Sequence, residues 1–263
     1  MRRHGDLRMR ARSAILAATA ALFLAATAHA PAQAQDQACP ANRIPPLALT
    51  HLRDAVRQNH DITIVAIGSS STEGVRASDK AHSYPAILQN TLNSVLRSVH
   101  VAVLNRGIGG QDVSEELSRL EADALAVHPT LVIWQVGANG AMQHTAPDLF
   151  KRLLTGGVRR LLDGKVDVVL MDNQRAPNIL SAPEHVLIDQ AMADVAVQTG
   201  ASLFARGALM DQWRQSGHPY EKFMSSDGIH HNDYGYRCIA HSLALAIVEG
   251  LGPNPLPHAI AGR

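Results

Sequence analysis

Hydroxyl, carboxylate and imidazole groups that could act together occur in two glycine-containing stretches of the sequence. Residues 68–74 read Gly-Ser-Ser-Ser-Thr-Glu-Gly, and residues 226–236 contain Asp227 and His230, three positions apart. At this spacing the carboxylate can orient the imidazole and stabilise the imidazolium that forms when the ring takes a proton. A serine hydroxyl from the first stretch would complete a set of nucleophile, base and acid. Each stretch also has an ordinary interpretation, as a serine-rich helix cap and as a solvated polar loop.

Two further stretches could supply hydrogen-bond donors to an oxyanion. Residues 105–112 contain three glycines, which let the backbone approach a ligand closely and offer it N–H groups. They do not form a dinucleotide-binding fingerprint, because Val113 stands where the last glycine belongs. In residues 137–140, Gly-Ala-Asn-Gly, Asn139 could aim its side-chain amide at the same charge. An isolated Asn-Gly pair is, however, most often only a turn.

A metal site is the main alternative for the histidines near the end of the chain. His230, His231 and Asp233 could ligate an ion. Because no matching cluster of ligands stands elsewhere in the sequence, we expect no metal.

Alternating strand and helix patterns predict how these stretches are positioned. Short apolar runs bounded by Gly, Asp or Asn predict buried parallel strands at 62–67, 99–104, 131–136, 166–171 and 201–204. Amphipathic spacing predicts helices at 84–96, 113–125, 149–162, 186–197 and 234–248. The alternation implies parallel βαβ units, and hence an α/β domain with a doubly wound sheet.

The carboxyl edge of this sheet is the expected location of a site, since ligands of open α/β sheets bind there. The loops after the first three strands and the loop before the last helix should therefore ring one site. Residues 172–175, Asp-Asn-Gln-Arg, follow the fourth strand and should face the same edge. They are candidates for lining the pocket, although such a loop seldom needs a ligand to explain its composition.

Residues 1–34 have the layout of a secretory signal peptide. Five arginines precede an apolar run at 14–28, and small residues follow at the spacing that signal peptidase needs. Pro31 should hinder the earlier cleavage position, so we expect cleavage after Ala34. An uncleaved membrane anchor is the alternative, but the run is shorter than the ~20 residues of a spanning helix. The expected mature chain, 35–263, has the length of a single α/β domain.

Charge and composition exclude several kinds of partner. The chain carries 24 basic and 23 acidic residues, but five arginines and one aspartate lie in residues 1–34, which leaves the remainder at −3. This balance gives no reason to expect binding to nucleic acid or stable insertion into a membrane once the signal is removed. Aromatic residues make up only 4% of the chain, which predicts an aliphatic core under helices on both sheet faces.

The two cysteines, Cys39 and Cys238, both lie in the expected mature chain. After export they would meet an oxidising compartment, where a disulfide can form. Two unpaired thiols, with Cys238 as a buried small apolar residue, are the alternative. The sequence leaves this choice open, because a long separation along the chain does not fix a distance in space.

Together, the four polar stretches resemble the sequence blocks of the SGNH/GDSL hydrolase family. In chain order, the similar segments are 68–74, 105–110, 137–140 and 227–236. Two positions depart from the family pattern, because Ser69 and Gly140 stand where aspartate is usual. Both departures concern loop rigidity and substrate preference more than the type of reaction.

The resemblance implies a fold and a set of residue roles. The fold would be a three-layer α/β/α sandwich of the flavodoxin-like SGNH kind, with about five parallel strands. Ser70 would be the nucleophile, His230 the general base and acid, and Asp227 the residue that orients His230. The backbone amides of Ser70 and Gly110 and the side chain of Asn139 would form the oxyanion hole. No cofactor would be needed.

The activity that the resemblance implies is hydrolysis of a carboxylic ester through an acyl-enzyme. The signal-peptide layout implies an exported location, either periplasmic or secreted. Acetyl groups on glycans and short-chain lipid or aryl esters are the candidate substrates. An O-acyltransferase that uses the same residues on a glycan hydroxyl is one alternative. A non-catalytic glycan-binding module is another.

Overall fold

A parallel sheet organises the part of the chain that the computed structural model describes, residues 38–41 and 43–252. The predicted signal peptide and the tail from residue 253 lie outside the described residues. The strands are β1 (Ile62–Gly68), β2 (Val101–Gly107), β3 (Leu131–Gln135), β4 (Asp167–Met171) and β5 (Ser202–Phe204). All five predicted strands are confirmed, with ends that shift by up to three residues.

Helices follow the strands in alternation. They are α1 (Thr50–Arg57), α2 (Ser70–Glu73), α3 (Tyr84–Val95), α4 (Val113–Ser118), α5 (Leu120–Asp123), α6 (Ala138–Met142), α7 (Pro147–Asp163), α8 (Pro177–Leu180), α9 (His185–Thr199), α10 (Arg206–Gln215) and α11 (Asp233–Gly250). Short 3-10 turns occupy Lys80–His82, Leu125–Val127 and Tyr220–Lys222. Among the described helices, none combines the length and the apolar character that crossing a membrane requires.

The strand order is β2-β1-β3-β4-β5, with every neighbouring pair parallel. This is the flavodoxin-like order, and it reverses direction at β1, which places a crevice between the loops after β1 and β3. The register aligns the carboxyl ends of β1, β2 and β3, since Gly68 pairs with both Gly107 and Gln135. The loops after β1, β2 and β3 therefore leave the sheet side by side.

Alternate strand residues face two separate apolar clusters, which makes the sandwich three-layered. Ile64 and Ala66 of β1 face the cluster that includes residues of α1, α3, α10 and α11. Val65 and Ile67 face the cluster that includes residues of α4, α5, α7 and α9. Because both faces of the sheet are covered, the strands read as continuous apolar runs rather than as alternating ones. The α/β/α prediction is confirmed.

One predicted helix is wrong as a single element. The segment 113–125 is divided into α4 and α5 at Arg119, whose backbone is not helical (φ −108°, ψ 3°). The Arg119 guanidinium donates to the carbonyl oxygens of Gly68 at 3.0 Å and Arg106 at 2.8 Å. This side chain thus joins the ends of β1 and β2, a tertiary contact that the helical periodicity did not reveal. Helices α1 and α10 were not predicted, and Met210 and Trp213 of α10 are buried in the core.

A disulfide joins Cys39, in the segment before α1, to the buried Cys238 of α11. The two Cα atoms are 5.3 Å apart although the cysteines are separated by 199 positions in the sequence. The sequence left open whether these cysteines are paired or free. They are paired because the first described residues pack against the last helix.

Candidate active site

The serine, histidine and aspartate proposed from the sequence meet at the carboxyl edge of the sheet. Ser70 is the first residue of α2, immediately after β1, and its Oγ lies 2.7 Å from His230 Nε2. His230 Nδ1 lies 2.8 Å from Asp227 Oδ2. Both Asp227 and His230 belong to the loop before α11, so two regions 160 residues apart are brought into one hydrogen-bonded chain.

The Asp227 carboxylate is held by donors from its own loop. Its Oδ1 accepts hydrogen bonds from Ser225 Oγ at 2.7 Å, the Ile229 amide at 2.9 Å and the His230 amide at 3.0 Å. Partial burial favours the neutral acid, but the hydrogen bonds from His230, Ser225 and Ile229 outweigh it and hold the pKa of Asp227 well below its usual range. The group is therefore an acceptor at any physiological pH.

An ionised Asp227 fixes the hydrogen-bond direction along the chain. A carboxylate can only accept, so His230 Nδ1 must carry a proton and donate it to Asp227. In the neutral ring, Nε2 is then the acceptor, and it faces the Ser70 hydroxyl. This arrangement can remove the Ser70 proton as the oxygen attacks an electrophile.

Arg76 is a neighbour of the triad formed by Ser70, His230 and Asp227, and no feature of the sequence indicated this contact. Its Nε donates to Asp227 Oδ2 at 2.9 Å, the same oxygen that His230 contacts, and its side chain remains 59% exposed. Its backbone lies in the left-handed region at φ +71°, which is uncommon for a residue with a side chain. No periodicity or motif marks this position, because the contact depends on how α2 and the loop before α11 are packed.

The glycine-rich loop after β2 runs alongside Ser70. A Cβ built on Gly109 would lie 3.8 Å from the Ser70 Cβ, and the Gly109 amide donates to Glu73 Oε2 at 2.8 Å. Gly110 has a left-handed backbone (φ +82°), and a Cβ there would meet no heavy atom within 4 Å. Glycine is therefore needed at 110 for its conformation, and it leaves open space beside the backbone.

Asn139 is anchored to this same loop. It lies in α6, just after β3, and its Nδ2 donates to the carbonyl oxygen of Gln111 at 2.7 Å. The amide group has a second hydrogen that this bond leaves available. The Ser70 amide stands in the first turn of α2, where backbone N–H groups have no acceptor within the helix. The three donors proposed from the sequence thus come from the ends of β1, β2 and β3.

The two positions that depart from the SGNH pattern, Ser69 and Gly140, have different local surroundings. Ser69 is buried, and its hydroxyl donates to Gln135 Oε1 at 3.3 Å, an oxygen that also accepts from Thr72 Oγ1 at 3.1 Å. At Gly140, a Cβ would stand at ordinary contact distance, 3.6 Å, from Phe150 and Thr145. Neither position touches the Ser70, His230 or Asp227 side chain in the contacts described above.

The histidine-rich loop does not gather metal ligands. Within residues 38–41 and 43–252, no group of three or more His, Cys, Asp or Glu side chains could hold an ion. His231 is buried, with Nδ1 3.1 Å from the Phe223 carbonyl oxygen, and burial, with the nearby Arg206 charge, lowers its pKa to about 3. Asp233 Oδ1 accepts from the Ser78 amide at 2.8 Å. The metal alternative is not supported by this geometry.

The polar run after β4 is buried rather than open to a pocket. Asp172, Asn173 and Gln174 are all almost fully inaccessible, and only Arg175 of the four is partly exposed. Burial, followed by the repulsion of the Asp189 carboxylate, raises the pKa of Asp172 to about 7. Their side chains bond to the Gly207 amide, the Asp189 carboxylate and the Ile229 carbonyl oxygen, so pocket lining does not describe most of the run.

A protein-family model matches most of this chain. The model of the non-GDSL lipase-like family aligns with residues 37–253, which include all four polar stretches. Among curated proteins, no sequence matches the chain.

Solved structures share the fold at low sequence identity. TesA is 21% identical with a TM-score of 0.61, over 72% of this chain and 99% of TesA. Axe2, an acetylxylan esterase from Geobacillus stearothermophilus, is 20% identical with a TM-score of 0.60, over 75% and 97%. A two-domain esterase active on acetylated mannans, CEX, is 20% identical with a TM-score of 0.67, over 81% of this chain and 56% of that protein.

Proposed function

The chain belongs to the non-GDSL lipase-like family, and on this premise we propose that it hydrolyses carboxylic esters with Ser70 as the nucleophile. The observation that carries the proposal is the continuous hydrogen-bonded chain from Ser70 Oγ through His230 to Asp227, with steps of 2.7 and 2.8 Å. Nucleophile, base and orienting carboxylate in this order can carry out acyl transfer.

The first half-reaction forms an acyl-enzyme. Ser70 Oγ bonds to the acyl carbon while its proton passes to His230 Nε2, and the carbonyl electron pair moves onto the oxygen. Asp227, ionised and hydrogen-bonded to Nδ1, stabilises the imidazolium that results. The tetrahedral intermediate collapses by breaking the bond to the alcohol oxygen, which takes the proton from His230.

The developing oxyanion requires donors that are already in place. The amides of Ser70 and Gly110 and the second hydrogen of Asn139 Nδ2 are the proposed donors. The bond from Asn139 to Gln111 and the bond from Gly109 to Glu73 support this assignment, because they hold the loop that carries Gly110. Donors fixed in advance need no reorganisation when charge appears on the oxygen.

Water completes the cycle by the same steps in reverse order. His230 takes a proton from water as the water oxygen attacks the acyl carbon, and it returns a proton to Ser70 Oγ as the acid leaves. The proposed reaction therefore consumes one water, releases an acid and an alcohol, and needs no cofactor.

We propose short acyl groups, above all acetyl groups on a glycan, as the substrate class. The loop beside Ser70 supports a bulky alcohol, since Ile108 is 45% exposed and open space lies next to Gly110. Axe2 and CEX carry esterase activity on acetylated glycans in their names, which favours this class over others. A small short-chain ester would use the same groups.

An exported location, periplasmic or secreted, is proposed for the folded chain. The Cys39–Cys238 disulfide supports it, because such bonds persist in oxidising compartments and are rare where thiols are kept reduced.

The test is to replace Ser70 by alanine and to assay p-nitrophenyl acetate and acetylated xylan. We expect turnover to fall by roughly 10³-fold or more while the unfolding transition is retained. Ser226→Ala, an exposed neighbour of Asp227, is the matched control and should keep wild-type turnover. Undiminished turnover after Ser70→Ala would disprove the nucleophile assignment.

The same assay separates hydrolysis from the other activities. Free acetate released in water supports hydrolysis, whereas acetate found on an added glycan hydroxyl identifies an O-acyltransferase. A folded wild-type chain that a fluorophosphonate probe cannot label would instead indicate a non-catalytic glycan-binding module.

A further inference from the structure

Arg206 and Gln174 lie behind the triad in a position that neither the proposed reaction nor the sequence motifs explain. Arg206 is the first residue of α10 and is fully buried, and Gln174, in the loop after β4, is 2% exposed. Burying a guanidinium is unfavourable unless its donors are all hydrogen-bonded. The bonds that it makes therefore show which parts of the fold it holds together.

The Arg206 guanidinium bonds to the residue next to the nucleophile. Nη1 donates to the hydroxyl of Ser71 at 3.0 Å, Nη2 donates to Gln174 Oε1 at 2.6 Å, and Nε donates to the carbonyl oxygen of Asp172 at 2.9 Å. Because the guanidinium is a rigid planar fork, these three acceptors are held at fixed relative positions. The beginning of α2 is thus fastened to the loop after β4.

Gln174 extends the connection to the histidine. While its Oε1 accepts from Arg206, its Nε2 donates to the carbonyl oxygen of Ile229 at 2.9 Å, and Ile229 directly precedes His230. A single amide therefore links the arginine behind Ser70 to the loop that carries the base. We call the hydrogen-bonded series that runs from Ser71 through Arg206 and Gln174 to Ile229 the buried bridge.

We propose that Arg206 and Gln174 are positioning residues that set the separation of Ser70 Oγ and His230 Nε2 through the buried bridge. They touch neither reacting atom, so they act through Ser71 and Ile229. The inference rests on the proposed function, since it assigns the two residues to the alignment of the same nucleophile and base.

Other contacts join the same two regions, and the proposal distinguishes the bridge from them. Arg76 bonds to Asp227 and the Ser78 amide bonds to Asp233, but both Arg76 and Ser78 are exposed. Tyr236 also reaches both regions, since its side chain bonds to Ser71 and to the Val75 carbonyl oxygen, two residues after α2, and its ring contacts His231. The buried bridge differs from this contact because hydrogen bonds connect it to the backbone just before His230, and the burial of Ser71, Arg206 and Gln174 shields their side chains from competing water.

The test removes the two partners of Arg206, Ser71 and Gln174, one at a time. Ser71→Ala removes the acceptor of Arg206 Nη1, and Gln174→Met removes both amide contacts at nearly constant volume. Each change should lower kcat by about 10-fold to 100-fold through misalignment of Ser70 and His230. KM for p-nitrophenyl acetate should stay within about threefold, because neither residue is proposed to contact the substrate.

A double-mutant cycle tests whether the two ends act through Arg206. The combined Ser71→Ala, Gln174→Met variant should lose much less kcat than the product of the single losses, since either change already disconnects the bridge. Asn93→Ala is the control for a merely structural effect. Asn93 bonds to the backbone of Val101 at the opposite edge of the sheet, so its loss should lower stability but leave kcat unchanged.

All rates are compared at a temperature where each variant is folded by circular dichroism. Single variants that are less stable but keep wild-type kcat, or a cycle with strictly multiplicative losses, would overturn the inference. Failure of the proposed function itself gives a different result, because turnover would then be insensitive to Ser70→Ala in the otherwise wild-type chain.

Discussion

The loops after β2 and β4 leave the same edge of the sheet but have opposite exposure. After β2, the segment Ile108–Gly110 is exposed, although Ile108 is apolar and its neighbours have no side chains. After β4, Asp172, Asn173 and Gln174 are buried although all three are polar. The loop whose polar composition predicts exposure faces inward, and the glycine-rich loop borders Ser70.

The contrast shows that polarity in a loop does not indicate contact with a ligand. The loop after β2 can offer backbone amides to a substrate because its glycines leave the backbone uncovered. The loop after β4 uses its polar side chains to bond Arg206, Gly207 and Ile229, which supports the site from behind. Substitutions on the open side should therefore change turnover, and those on the buried side should change stability or alignment.

Among the substitutions that test this comparison, the largest effect is expected from Asn139, which bonds to the open loop through Gln111. Asn139→Ala removes both the proposed oxyanion donor and the bond to Gln111, so kcat should fall by on the order of 10²-fold with little change in stability. The measurement is kcat for p-nitrophenyl acetate, with Asn90→Ala on the exposed surface of α3 as the control. Wild-type kcat in this variant would mean that only backbone amides form the oxyanion hole, and that Asn139 is not among the residues whose substitution changes turnover.

On the buried side, Asp172→Asn should alter the pH dependence of stability. Because the pKa of Asp172 is raised from 3.8 to about 7, the folded chain keeps a proton that the unfolded chain loses as pH rises between these values. That contribution to stability is full at low pH and declines as pH rises. Asparagine can still accept from the Gly207 amide, and it does not titrate.

Urea unfolding from pH 4.5 to 7.5 checks this expectation. The free energy of unfolding of Asp172→Asn, relative to wild type, should rise with pH by up to about 1.4 kcal/mol per unit. Turnover should change by less than about threefold, since the hydrogen bond to Gly207 is kept. Parallel stability curves would mean that the wild-type carboxyl is ionised in the folded chain throughout this range.

The smallest effect is expected from Arg76, which lies at the rim between the two sides. The Arg76 side chain, which forms an ion pair with Asp227, is 59% exposed. Because exposed ion pairs contribute little, Arg76→Gln should change the plateau of kcat/KM by less than about threefold. Arg76→Lys, which keeps the cation, should differ from wild type less than Arg76→Gln does, and added salt should weaken the effect of both changes. A loss of more than about tenfold in kcat/KM for Arg76→Gln would contradict the small effect expected of an exposed ion pair.

The hydrogen-bonded grouping of Ser70, His230 and Asp227 could be anticipated from the sequence because its determinants are local. Asp227 and His230 are three residues apart, and the Asp227 side chain bonds to amides within the same turn. Ser70 follows a strand whose apolar run is unmistakable, and β1 is central in the sheet. Once parallel strands place their loops at one edge, the motifs after β1, β2 and β3 must be neighbours.

Arg206 shows what such reasoning misses. It is the first residue of α10, a helix that no strong sequence pattern predicted. Nothing in residues 206–215 distinguishes a buried guanidinium from an exposed one. Its three partners come from positions 71, 172 and 174, so its role appears only when α10, β4 and α2 are packed together. Arg119 and Arg76 were missed for the same reason.

The amino-acid sequence by itself determined the strands, the fold class and the polar stretches that come together, because periodicity and short-range spacing encode them. Tertiary structure alone decided that Cys39 pairs with Cys238, that the run after β4 is buried and that Arg206 stands behind Ser70. The physical reason is that each of these depends on contacts between segments far apart in the chain, whose distances are set by sheet order and helix packing rather than by any local preference.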